Sequence, residues 1–260
     1  MLKIAIIGGT GVYDIPLIKQ QELIEISTSY GSVKLNKGYY ADKEVFLLAR
    51  HGSDHAIPPH RVNYRANIAA LRQIGVESIV ATAAVGTLRK DMPPGSRIVI
   101  DQFVDYTKNR QSTFFDGQDG RVVHIDYTEP YCSRLRRDIL KAGNRLGESL
   151  IDGGCYVCTE GPRFETPAEI KMIKMWGGDL VGMTSVPEVV LAREAGICYA
   201  TLSLSTNYAA GISEQPLTHE EVILAMEKDK PALDQLLLAI IEEIQAIDQC
   251  GCQQLQNFWS

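Results

Sequence analysis

Short β-branched runs alternate along this chain with stretches of helical periodicity. LKIAIIG, EVFLLAR, VESIVATAAV, SRIVI and GICYATLSLST read as strands, and helices are predicted near 62–75, 131–147, 166–176, 187–196 and 218–247. Such alternation predicts an α/β domain with a mostly parallel or mixed central β-sheet flanked by helices. The last helix carries the strongest signal. Thr218 and Glu221 form a Thr-x-x-Glu capping box, and Leu233, Leu236, Leu237, Ile240, Ile241 and Ile244 recur on one face. His219 is then the first helical residue, beside the positive end of the helix dipole. No internal repeat or low-complexity segment is visible.

Length and charge narrow the function classes. The 260 residues suit one domain over 1–260, ending in a polar tail from about 248 to 260. A net charge of −6 argues against a nucleic-acid or anionic-membrane partner, so any bound anion must be caught locally. The opening MLKIAIIGGTG is too short to span a bilayer and runs into a glycine turn instead of a cleavage site, which predicts a cytoplasmic protein. Six cysteines stand at 132, 155, 158, 198, 250 and 252, with no spacing that completes a zinc site, so free thiols and no metal are expected. Cys155 and Cys158 form C-x-x-C inside GGCYVCTEG, which reads as a strand and sends the two side chains to opposite faces. Cys250-Gly251-Cys252 falls in the polar tail, with a local disulfide as the alternative to free thiols.

Candidate chemistry gathers at strand ends, where open α/β sheets bind ligands. IIGGTG lacks the third glycine of a dinucleotide fingerprint, since Val12, Tyr13 and Asp14 follow Gly9-Thr10-Gly11. Its free N–H groups and the Thr10 hydroxyl suit a single phosphate, although a plain tight turn explains the glycines equally well. LLARHG ends a strand in Arg50-His51, where a planar guanidinium fork matches phosphate oxygens and an imidazole adds a third hydrogen bond. VGMTSVPEVVLAREAG offers Met183 and Thr184 just ahead of a helix, with Thr184 a further donor to the same anion.

Taken together with VNYRANI, EGPRFETPAE and GMTSVPEVVLAREAGICYA, these residues closely resemble the trimeric purine nucleoside phosphorylase and methylthioadenosine phosphorylase family, from about residue 3 to the last helix. The resemblance implies a single-domain α/β phosphorylase fold, a homotrimer or dimer of trimers with sites near subunit contacts, and no metal or organic cofactor, inorganic phosphate being a co-substrate. It implies that Thr10, Arg50, His51 and Thr184 hold phosphate and that the Ala84 backbone closes that site. Ala83 departs from the family pattern, which carries a hydroxyl or amide there. Met183 should pack under the ribose and Phe164 against the base. His55 and His124 match histidines near the 5′ end of the nucleoside, with His124 reaching a neighbouring subunit; a satisfied structural histidine is the alternative for each.

Base recognition turns on three positions. The adenine-reading branch resembles a serine at 165 and aspartates at 207 and 209, whereas this chain has Glu165, Asn207 and Ala209. A 6-oxopurine presents an N1–H donor and an O6 acceptor, which a carboxylate and an amide satisfy. Glu165 alone would also suit a helix start ahead of TPAEI; its pairing with Asn207 is what points to the base. His219 matches the 6-oxopurine branch, where it contacts the 5′-hydroxyl; methylthio-specific relatives are apolar there, a role that Val222 and Met226 nearby would also fill. The expected reaction is phosphate-dependent cleavage of inosine or guanosine, with Asn207 stabilising the leaving base and Glu165 anchoring N1–H. Phosphorolysis of methylthioinosine or methylthioadenosine is the alternative, and a purine-binding protein without catalysis or a nucleoside hydrolase is a more distant one.

Overall fold

The computed structural model describes residues 1–9, 15–52, 54–118, 120–213, 217–246 and 250–253. In chain order the strands are β1 (Lys3–Gly8), β2 (Lys19–Thr28), β3 (Gly31–Tyr40), β4 (Lys43–Ala49), β5 (Ser78–Thr87), β6 (Arg97–Val99), β7 (Gln102–Tyr106), β8 (Leu150–Asp152), β9 (Cys155–Thr159), β10 (Leu180–Gly182) and β11 (Cys198–Tyr208). The helices are α1 (Tyr64–Gln73), α2 (Ser133–Leu146), α3 (Pro167–Met175), α4 (Ser185–Glu194) and α5 (His219–Glu243). All five predicted helices are present, and each predicted strand run holds a strand.

The sheet is mixed. Its main path runs β2-β3-β4-β1-β5-β10-β9-β7, while β11 adds to β5 and continues through β6 to β8. At the centre, β4, β1, β5 and β11 run parallel to one another, so their carboxyl ends open on one side. The short β10 runs antiparallel to β5, pairing Val181 with Gly86, and therefore brings the residues after it back towards the middle of β5.

Strand alternation explains why the central runs are apolar throughout. In β1, Ala5 and Ile7 face one side and join the core beneath α1 and α4, whereas Ile4 and Ile6 face the other and pack with α2 and α5. A third, smaller cluster seats Ile170 and Ile173 of α3 on Val157 and Val181. At the start of α5 the Thr218 hydroxyl accepts from the Glu221 N–H at 3.2 Å, as the capping signal predicts. The complete reciprocal box, Thr166 with Glu169, caps α3. No described helix is long and apolar enough to cross a membrane.

The cysteines depart in part from expectation. Cys155 and Cys158 do lie in a strand, and burial pushes their thiols up, to about 11 and about 12, away from the reactive thiolate. Cys250 and Cys252, expected in a bland tail, instead dock on the core, with Cys252 buried. The parts of the predicted tail at 248–249 and 254–260 lie outside the described residues.

Candidate active site

A cavity of about 520 Å³ opens at the carboxyl ends of the central strands. That volume lies within the range usual for small-molecule sites. Arg50, His51, His55, Ala84, Phe164, Glu165, Met183, Thr184, Asn207, His219 and Val222 all line it. Of the remaining sequence candidates, Thr10 lies outside the described residues, and His124 is exposed and is not part of this lining.

Arg50 follows β4 directly and is 2% exposed. Its Nε and Nη2 donate to the two carboxylate oxygens of Glu188, each at 2.7 Å, and Nη1 donates to the Thr82 carbonyl at 2.9 Å. Glu188 is fully buried on α4 and also accepts from the Tyr199 hydroxyl at 2.8 Å. Burial opposes the charge on Arg50, but the Glu188 carboxylate overrides it and holds the guanidinium above its ordinary value. One proton on Nη1 and one on Nη2 remain for a ligand. Gly9 lets this happen at close quarters, because a Cβ there would come within 3.2 Å of Arg50 Nη1 and of the Thr82 carbonyl oxygen.

His51 is 7% exposed, and its Nδ1 lies 2.8 Å from the Ile57 carbonyl. A carbonyl only accepts, so Nδ1 carries the proton. Burial, helped by the neighbouring Arg50, pushes the ring down to about 4, so it is neutral near pH 7 and Nε2 is a lone-pair acceptor. This revises the expected third hydrogen bond: a neutral His51 accepts from a phosphate hydroxyl instead of donating to it. Thr184 is the N-cap residue of α4, yet its hydroxyl makes no capping bond and lines the cavity, while its N–H donates to the Tyr156 hydroxyl at 3.1 Å. Gly182 makes room for that tyrosine, since a Cβ would collide with its hydroxyl. Ala83 lines the cavity without a polar atom to offer, and the Thr82 hydroxyl beside it is engaged by the Gly9 N–H at 3.1 Å.

Across the cavity, Asn207 sits where β11 slips register against β5 between Ser205 and Asn207. Such a bulge re-aims the side chain that follows it. The Asn207 amide oxygen accepts from the Thr206 hydroxyl at 2.8 Å and its nitrogen donates to the Tyr208 carbonyl at 2.9 Å. One lone pair and one N–H proton remain, a donor and an acceptor side by side. Glu165 accepts from the Thr159 hydroxyl at 2.6 Å; burial pushes its carboxyl up, with that hydroxyl working against the shift. His51 and His55 stand 4.9 Å apart and His55 stacks on His219 at 6.3 Å, so the three rings run from the Arg50 end of the cavity to the start of α5. Sequence reasoning missed Glu188 and Thr159, which touch the site residues from behind, and Thr206, which lines the cavity beside Asn207. Only Glu188 left a trace, an acid inside the apolar SVPEVVLARE.

The phosphorylase superfamily model matches residues 3–242. This chain belongs to the phosphorylase superfamily. A probable 6-oxopurine nucleoside phosphorylase of Dictyoglomus turgidum is 54% identical over 97% of this chain and 95% of its own. The 6-oxopurine nucleoside phosphorylase of Pyrococcus furiosus is 49% identical, covering 97% of each chain. A probable S-methyl-5′-thioinosine phosphorylase of Methanopyrus kandleri is 45% identical over 98% of this chain and 97% of its own. Among solved structures, methylthioadenosine phosphorylase from Schistosoma mansoni in complex with adenine superposes with a TM-score of 0.92 at 33% identity, covering 99% of this chain and 97% of that one. The fold and family implied by the sequence motifs are those observed.

Proposed function

We propose that this phosphorylase cleaves 6-oxopurine nucleosides, inosine and guanosine, with inorganic phosphate, giving the free base and ribose 1-phosphate for purine salvage. The observation that carries this reading is the meeting of Asn207 and Glu165 in one cavity with Arg50, His51 and Thr184. Phosphate sits against Arg50 and Thr184, its hydroxyl donating to His51 Nε2. A phosphate oxygen attacks C1′, the C1′–N9 bond breaks, and its electron pair leaves with the purine. The spare Asn207 N–H meets O6, and the spare lone pair on its amide oxygen accepts from N7 as that atom takes up a proton, which stabilises the departing base. Glu165 accepts from N1–H. Phe164 and Met183 supply apolar surface for base and ribose. Phosphate is the nucleophile, so the step calls for no organic cofactor.

Relatives named for 6-oxopurine nucleosides at 48–54% identity support the base assignment. S-methyl-5′-thioinosine is the second reading, favoured by the buried Val222 in the cavity wall and by the Methanopyrus relative. A homotrimer or dimer of trimers in the cytoplasm completes the proposal; His124, outside the cavity of its own chain, then has its 5′-end role across a subunit contact. The test is base release from inosine and adenosine, with and without phosphate. Release that requires phosphate and favours inosine by roughly 10⁴-fold supports the reading. Full-rate release without phosphate, or comparable efficiencies on the two nucleosides, refutes it.

A further inference from the structure

Four cysteines remote in sequence converge at the other end of the sheet. The Sγ atoms of Cys132, Cys198, Cys250 and Cys252 all lie within 4.8 Å of one another, with Cys198 and Cys250 at 3.0 Å. Cys132 is the N-cap residue of α2, Cys198 opens β11, and Cys250 and Cys252 flank Gly251 in the turn that docks the C-terminal segment. All are buried except Cys250, which is half-buried. The sequence spacing hides this set, because its members come from three separate elements.

We propose that these four side chains form a tetrathiolate site for a thiophilic divalent cation of the zinc class, which fastens the C-terminal segment to α2 and β11. Three observations support it independently of the reading of the cavity. A tetrahedral zinc with bonds of about 2.3 Å sets its sulfurs about 3.8 Å apart, and the cluster spans that separation. The donor set is sulfur throughout, which selects zinc and its soft neighbours over magnesium or calcium. Four thiolates around a divalent cation leave two negative charges, and a guanidinium lies against the set to offset part of them: Arg193 Nη1 is 3.7 Å from Cys252 Sγ; Arg134, bonded to Ser78 opposite Cys198, is already paired with Asp138 at 3.0 Å. Binding releases the thiol protons to solvent as the sulfur–metal bonds form, and no electrons change hands. Nine residue steps of β11 separate Cys198 from Asn207, about 30 Å of strand, so the cation is structural and takes no part in the reaction.

The test begins with the wild-type protein purified under reducing, anaerobic conditions and titrated with cobalt(II). One equivalent should bind, with thiolate-to-cobalt charge-transfer and tetrahedral d–d absorption, and zinc should displace it. Elemental analysis should return one zinc per chain, and a chelator should lower the melting temperature. Cys250→Ser with Cys252→Ser should abolish the cobalt spectrum and the chelator effect while leaving kcat/KM for inosine within about twofold. Cys155→Ser, outside the cluster, should keep both. Failure of reduced wild type to bind either metal, or a mass spectrum showing the four sulfurs paired as disulfides after metal exposure, overturns the proposal. The wild-type titration decides the matter even if the double variant does not fold.

Discussion

Arg50→Ala tests whether the buried ion pair serves both stability and phosphate use. Arg50 is 2% exposed and Glu188 0%, and the guanidinium supplies two of the three hydrogen bonds that the Glu188 carboxylate receives. Alanine would leave a buried carboxylate with only the Tyr199 hydroxyl, a change that costs about 3–5 kcal/mol when one partner of such a pair is removed. Domains of this kind are stable by about 5–15 kcal/mol, so the loss is large yet survivable. Pairing Arg50→Met with Glu188→Gln removes both charges and keeps an acceptor for Tyr199, and it should restore at least half of the lost stability. It should not restore phosphate use, because the donors aimed into the cavity are gone; kcat/KM for phosphate should stay down by about 2–5 kcal/mol in transition-state terms. Urea unfolding and phosphate-saturation kinetics on the two variants give both readouts. Recovery of phosphate kcat/KM in the double variant, or an Arg50→Ala protein as stable as wild type, would refute the reasoning.

His219→Val should cost inosine about 1–3 kcal/mol in kcat/KM while sparing methylthioinosine; equal losses on both substrates would make His219 a helix-start residue alone. Asn207→Asp should move preference towards 6-aminopurine nucleosides in a substrate panel, but incompletely, because Ala209 leaves the second acidic position of the adenine branch unfilled. His51 has its folded pKa pushed down to about 4 from 6.5, so the unfolded chain binds more protons across that window. Its contribution to stability is therefore full above about pH 6.5 and lost as pH falls towards 4, amounting to about 2 kcal/mol between pH 7 and pH 5. Urea midpoints for wild type and His51→Gln should converge as pH drops, and parallel curves would contradict the burial argument.

Much of the site was legible because its signals are local. An apolar strand that ends in Arg50-His51, a Met183-Thr184 pair ahead of a helix and an amide at a strand end each stand out within a few residues, and family motifs link them. The helices were legible for the same reason, since their periodicity and caps are properties of a short window. The β2–β3 hairpin was not: KQQELIEIST is largely exposed at the sheet edge and carries no apolar run. The three-residue strands β8 and β10 are too short for any period to register.

By itself, then, the sequence determined the α/β class, the helices, the phosphorylase motifs and the choice of Glu165 and Asn207 over a serine and an aspartate. Only the tertiary structure decided what stands behind those residues. Glu188 meets Arg50 from 138 positions away, Thr159 orients Glu165 across a turn, and a one-residue slip in β11 aims Asn207 at the cavity. The cysteines make the same point: four thiols that looked scattered meet because α2, β11 and the final turn pack at one end of the sheet. Strand order and register set which distant side chains meet, and those depend on pairings summed over the whole chain, so no local window carries them.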